Sequence, residues 1–306
     1  MDEIVIVTAF FDIGRENYDK LKRNNDTYFA QFEYWARIRN HVIVFVANKE
    51  HEEQVYNIRE KYGEREKTSV IIIEDITKLL PSIYKKMEFN SSDIYYKNIR
   101  LMKNTLSDKP LYDLVNYLKI YFIKLAKSYM DHETQFAWMD FGFNHGGSTY
   151  PNPEDFDFLW RYDCKEKALF FYENRLDIRP MFEIIRTVKP DPMLGAMFII
   201  PSIHVERIWN SYLESVNAML DMGFIDDDQP LLLMTFRKVM DIALAMQCRN
   251  CEQLKLCGAQ HMSYRKKKKS FIILRKIKHY IEYRLLIFSY HKADTKLLLK
   301  NIFFED

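Results

Sequence analysis

The chain has 306 residues, 48% of them hydrophobic and 29% charged, which is the composition of a folded protein able to bury one large core or two modest ones. Only 8 residues are Gly, and neither GxGxxG nor GxxxxGK[ST] occurs, which argues against a Rossmann dehydrogenase or a P-loop NTPase. The net charge of +2 is unevenly spread: residues 264–306 hold 12 Lys+Arg against 4 Asp+Glu, and the acidic remainder carries a net −6.

The chain opens on two acidic positions and then IVIVTAFF (4–11), a strand-length apolar run without the basic flank of a secretory signal. Residues 26–40 gather Tyr28, Phe29, Phe32, Trp35, Ala36 and Ile38 near one helical face. HVIVFVA (41–47) reads as a second buried strand, HEEQVYNIREKYG as a polar helix closing at Gly63, and SVIIIE (69–74) as a third strand. Residues 75–110 lean towards helix. Residues 111–130 form a long helix, apolar all round and hence largely buried. QFAWMDF (135–141) reads as a fourth strand ending on an aspartate, with GFNHGGSTYPNPED as loop. Strands follow at 168–172 and 195–200, then an amphipathic helix, IHVERIWNSYLESVNAML. FIDDDQPLLLMTFRKVMDIALAM reads as a turn and one helix whose pattern continues into the cysteines. Alternating strands and helices predict an α/β fold with a mixed, mostly parallel sheet flanked by helices. The tail from about residue 264 is basic and helix-patterned, though IEYRLLIFSY also suits a strand.

No stretch reaches the roughly 18 uninterrupted apolar residues of a membrane span. Four cysteines in a chain this long do not suggest a disulfide framework, so a reducing cytoplasm is expected. Cys248, Cys251, Cys257 and His261 offer four zinc ligands in 14 positions, but the segment reads as helix and lacks paired knuckles, so buried or spare thiols are the preferred reading.

Ligands of open parallel sheets bind beyond the carboxyl ends of the strands, and two segments fall there. After the first strand, Asp12 can bond ribose or base and the planar fork of Arg15 can pair with a diphosphate; an ordinary capped helix is the plain alternative. After the fourth, Asp140 ends a buried strand in a Gly-containing turn and could hold a divalent metal between two phosphates, or simply cap the turn. The DFG here is not that of a kinase, since no other kinase motif accompanies it. A third cluster, Asp226-Asp227-Asp228-Gln229-Pro230, opens a helix. Capping by Asp226 or Asp228, with Pro230 at the first helical position, needs one carboxylate and leaves a surplus for function.

The segments IVTAFFDIGR, FAWMDFG and DDDQPLLL, in that order, resemble the WlaTC/HtrL/YibB family of bacterial glycosyltransferases, over a region reaching to about residue 260. The resemblance implies a GT-A-like, Rossmann-related catalytic domain over residues 1–262, with 263–306 as a basic amphipathic tail. It implies a nucleotide-sugar donor, with UDP-hexose expected, and an acceptor in lipopolysaccharide, lipooligosaccharide or capsule synthesis. By that analogy Thr8, Ala9, Phe10, Asp12 and Arg15 line the nucleotide pocket. Asp140 stands where GT-A enzymes carry a DxD metal motif, here reduced to one acid, so Mn2+ or Mg2+ is an open expectation, with His261 as the other candidate ligand. Lys119, on the long helix, could reach phosphate, although for it, for Lys124 and for His261 an exposed side chain is the plainer reading. If the enzyme inverts, the base is sought in Asp226, Asp227, Asp228 and Gln229. The tail interleaves Lys and Arg with Phe, Ile, Leu and Tyr, which suits an interfacial helix on anionic lipid and thus peripheral attachment to the inner membrane. The acidic body speaks against nucleic acid. Rival readings are a metal-dependent nucleotide phosphohydrolase and a non-catalytic module binding lipid or nucleic acid.

Overall fold

The computed structural model describes residues 3–18, 22–92, 109–130, 134–173, 176–187, 193–248 and 252–265, together with 281, 285, 288 and 292. Seven strands form one sheet: β1 (Ile4–Phe10), β2 (Val42–Val46), β3 (Thr68–Ile72), β4 (Gln135–Met139), β5 (Ala168–Tyr172), β6 (Met197–Pro201) and β7 (Ala243–Gln247), in the order β3-β2-β1-β4-β6-β5-β7. Only β6 runs against its neighbours β4 and β5; the other pairings are parallel. This is the mixed, mostly parallel, Rossmann-like α/β sheet that the alternation of strands and helices predicts.

The central strands read as unbroken apolar runs because both faces are covered. Along β1, Val5, Val7 and Ala9, with Phe11 just past its end, enter one core, while Ile4, Ile6 and Phe10 enter the other. The first core lies under α3 (Pro81–Ser92), α4 (Pro110–Lys127), α6 (Val205–Asp221) and α7 (Asp228–Lys238); the second lies under α1 (Asn25–Trp35) and α2 (Lys49–Glu60). Asn24 and Asn48 cap α1 and α2 by accepting from the amides of Thr27 and His51, and Gly63, at φ +73°, follows the end of α2. Two shorter helices, α5 (Met181–Thr187) and α8 (Gln253–Leu256), and six short 3-10 helices are also present among the described residues.

Three expectations change. The helix after the triple aspartate ends at Lys238, and residues 243–247 form edge strand β7, paired with β5, rather than more helix. Asp227 is the cap of α7, its carboxylate accepting from Gln229 N at 3.1 Å, and Pro230 is the third helical residue, not the first. Lys119 is not solvated but buried. Beyond Arg265 the basic tail lies outside the described residues except for four helical positions. No described helix is long and apolar enough to cross a membrane.

Candidate functional site

The sheet order reverses at β1: β2 and β3 lie on one side, β4 on the other. Strands β1 and β4 are adjacent and parallel, with Val7 opposite Trp138, so the segments leaving both strands emerge together at the switch point. The Asp12–Arg15 and Asp140 turns therefore share one edge of the sheet.

Each turn is tightly built. Asp12 Oδ1 accepts from Gly14 N at 2.9 Å, Gly14 has φ +69°, and Asp12 Oδ2 accepts from Asn25 Nδ2 at 3.0 Å, which ties the turn to the start of α1. Arg15 donates to the Tyr28 hydroxyl, and its guanidinium lies 5.8 Å from the Tyr28 ring centre and 5.4 Å from that of Tyr112 on α4. The guanidinium of Arg23 lies 5.8 Å from the same Tyr28 ring.

On the β4 side, the Phe141 ring stacks on Phe32 at 4.5 Å and its carbonyl accepts from Trp35 Nε1. A Cβ on Gly142 would lie 2.5 Å from Gln31 Oε1, so the turn is pressed against α1. Asn144 (φ 65°) and His145 (φ 45°) occupy the left-handed region, followed by Gly146 and Gly147, also at positive φ. Asn144 offsets the cost with its side chain: Nδ2 donates to Tyr150 O, and Oδ1 accepts from the amides of Thr149 and Tyr150. Desolvation and the charge of Arg23 hold the His145 imidazole below its ordinary pKa, while Asp140 pulls the other way. His145 thus lies within the fields of Arg23, Arg15 and Asp140.

The centre of the site is an ion-paired group. Lys119 Nζ lies 3.0 Å from Asp140 Oδ1, 2.7 Å from Asp228 Oδ2 and 3.1 Å from Gly195 O. Trp138 Nε1 donates to the same Asp140 Oδ1 at 2.7 Å. The side chains of Lys119 and Asp228 are 7% and 5% exposed; that of Asp140 is 36% exposed. Burial raises the Asp228 pKa and Lys119 opposes the rise; burial lowers that of Lys119, but the two carboxylates outweigh it and keep the ammonium charged. Gly195 admits Asp228: a Cβ there would lie 2.0 Å from Asp228 Oδ2. Behind this group, buried Asp113, Tyr117, Tyr212 and Asp226 form a second polar tier.

The structure brings together Arg15, Lys119, Asp140, Asp227 and Asp228, and Tyr112 is within the electrostatic reach of all but Asp140. Asp226 and Asp227 are buried and Gln229 is half-buried at the same helix start, with Asp226 Oδ1 accepting from Asp227 N. Thr8, Ala9 and Phe10 are enclosed within β1 and offer almost no surface to a ligand; their contribution is to seat the turn that follows. His261 is placed elsewhere: its Nε2 lies 3.0 Å from Asp155 O and its ring meets Phe158 edge-on. Lys124 pairs with Glu206. Cys248 and Cys257 are buried, and burial pushes the Cys257 thiol up to about 12, away from the thiolate that zinc takes; Cys251 lies outside the described residues. Among the described residues no group of three or more His, Cys, Asp or Glu is arranged to hold a metal, and between Asp140 and Asp228 the ammonium of Lys119 stands where a shared cation would. The donor set as built does not fit a divalent ion. Tyr28, Arg23, Tyr112, His145 and Gly195 carried little sequence signal beyond the Gly-rich GFNHGG loop.

Fold and site together define a Rossmann-like α/β protein with a charged, ion-paired site at the switch point of its sheet. The chain belongs to the HtrL_YibB family, described as bacterial protein of unknown function, whose sequence model matches residues 2–249. Protein HtrL of Escherichia coli (strain K12) is 29% identical over 255 residues, covering 78% of this chain and 85% of that protein.

Proposed function

We propose that this chain is a GT-A-like glycosyltransferase that takes a sugar from a nucleoside diphosphate, with a uridine-linked hexose as the expected donor, and passes it to a bacterial surface glycan. The observation that carries the reading is the emergence of the Asp12–Arg15 and Asp140 turns from adjacent parallel strands at the switch point, with Lys119 and Asp228 packed against the second. A departing sugar gains positive charge on its ring and its diphosphate leaves with the electron pair, so the site must offer cations to the diphosphate and a carboxylate near the acceptor. Arg15 and Arg23 supply the first, with His145 beside them as a neutral ring that can take up a proton as the diphosphate binds. Asp140 is the most accessible carboxylate of the ion-paired group. In an inverting reaction it takes the proton of the acceptor hydroxyl as that oxygen bonds to the anomeric carbon. Asp12, exposed and fixed to Asn25, suits ribose or base.

A thermal-shift panel of nucleotide sugars, run with and without Mn2+, tests the reading, since a ligand at 100 times its Kd stabilises the native state by about 2.7 kcal/mol. A donor should raise the melting temperature of the wild type and lose most of that effect in Arg15→Ala. Flat curves across the panel would remove the donor assignment. Sugar released to water without acceptor would favour the phosphohydrolase reading instead.

A further inference from the structure

We infer that the ammonium of Lys119 permanently occupies the seat a divalent cation would take between Asp140 and Asp228, so that the diphosphate of the donor is met without metal by Arg15, Arg23 and His145. The inference rests on the donor reading above for its ligand, but not for its seat. Lys119 has three N–H donors, and three oxygens stand within 3.1 Å of Nζ: Asp140 Oδ1, Asp228 Oδ2 and Gly195 O. A phosphate would have to compete for this ammonium with two carboxylates and a carbonyl already against it. The lysine therefore neutralises and positions the carboxylates instead of binding the donor.

The seat is constructed rather than incidental. Tyr112 and Lys119, seven residues apart on α4, share one helical face. Gly195 lacks the side chain that would keep Asp228 from approaching, and Trp138 fixes Asp140 Oδ1 from the other side. A divalent ion bound at the usual 2.0–2.2 Å would have to expel a buried ammonium held by two carboxylates. One positive charge in place of two leaves the group with a net negative charge, so the positive charge for a diphosphate must come from elsewhere. Arg15 and Arg23 both approach the Tyr28 ring, and both act on His145. The planar fork of arginine suits a phosphate bidentately.

The experiment needs no known substrate at its first step. Mn2+ binding to the full-length wild type is followed by electron paramagnetic resonance, and melting is recorded in EDTA and in millimolar Mn2+ for the wild type and Lys119→Ala. The wild type should show no stoichiometric Mn2+ and no shift in melting. Lys119→Ala should melt lower in EDTA and recover at least half of the loss in Mn2+, because its vacated carboxylates now accept the ion. If that variant fails to fold, the wild-type resonance still decides: stoichiometric Mn2+ lost in Asp140→Asn would overturn the inference. The second step titrates nucleotide sugars, and EDTA should change the wild-type Kd by less than about twofold. A donor that binds only with Mn2+ would sink the metal-free site while keeping the transferase reading. A metal-indifferent wild type that binds no donor would keep the lysine seat and remove the transferase.

Discussion

Gly195 and His145 show how single positions shape the site. Alanine at 195 would place its Cβ 2.0 Å from Asp228 Oδ2, so the buried carboxylate must shift and its pairing with Lys119 is disturbed. Gly195→Ala should therefore cost about 3 kcal/mol in urea unfolding, the scale of disrupting a buried ion pair, and a loss within error of zero would mean that the pair is not held as described. Burial and the charge of Arg23 hold the His145 imidazole below its ordinary pKa, which favours the neutral ring. A diphosphate beside it favours the protonated ring, so binding takes up a proton. Affinity for a nucleotide sugar, whose phosphodiester does not titrate near neutrality, should begin to rise as pH falls through the bound-state pKa of His145 and level off below its free-state value. His145→Gln should flatten that profile; an unchanged slope in the variant would place the ring outside the binding surface. Both residues were hard to read in the sequence, because a glycine reveals nothing about what presses on it and a histidine nothing about neighbours on other strands. Lys119 is the sharpest case: its partners lie 21 and 109 positions away, so on its own helix it resembles any surface lysine.

At the scale of elements, what the sequence showed follows from burial. The runs of β1, β2 and β4 are apolar on both faces, and their shortness, with the Ile and Val of β1 and β2, marks them as strands rather than buried helix. Strand β7 was read as helix for the converse reason. Val239–Gln247 is rich in Met, Ala and Leu, good helix formers, without Gly or Pro to mark the break, and only pairing with β5 makes its second half a strand. The three aspartates were legible as a helix start, but which one caps was not, since any of them could accept from the first-turn amides. One element joint was invisible. Arg59, fully buried at the end of α2, donates to the carbonyls of Ala36, Ile38 and Asn40 and to Thr68 Oγ1, closing the loops around β2 and β3. Burial lowers its pKa to about 10, still far above neutrality, so it stays charged. Arg59→Met would orphan those acceptors, and about 3–5 kcal/mol of stability should be lost in equilibrium unfolding. A loss under about 1 kcal/mol would show that water replaces the guanidinium.

At the scale of the whole molecule, the charge asymmetry matters most. The family match ends at residue 249, before the basic stretch begins. Beyond Arg265, four positions of that stretch are described, all helical, and Ile281, Leu285 and Phe288 are 50%, 62% and 71% exposed. Spacings of four and three residues put them on one helical face, and Lys292 continues the row. Three exposed apolar residues in a row, in a stretch with 12 Lys+Arg, have the make-up of a helix that lies in a lipid interface, where each basic residue near an anionic surface adds about 1 kcal/mol. An acceptor carried on lipid would give such a surface its use. A chain ending at Arg265 should lose co-flotation with vesicles containing anionic lipid while keeping the nucleotide-sugar shift in melting. Ile281, Leu285 and Phe288 replaced together by Ser, which preserves the charge, should weaken flotation at least tenfold. If the serine variant floats like the wild type, charge alone holds the tail at the surface and the stripe has another role. If the shortened chain also loses its response to donor, the tail belongs to the folded body, and the division at residue 262 is wrong.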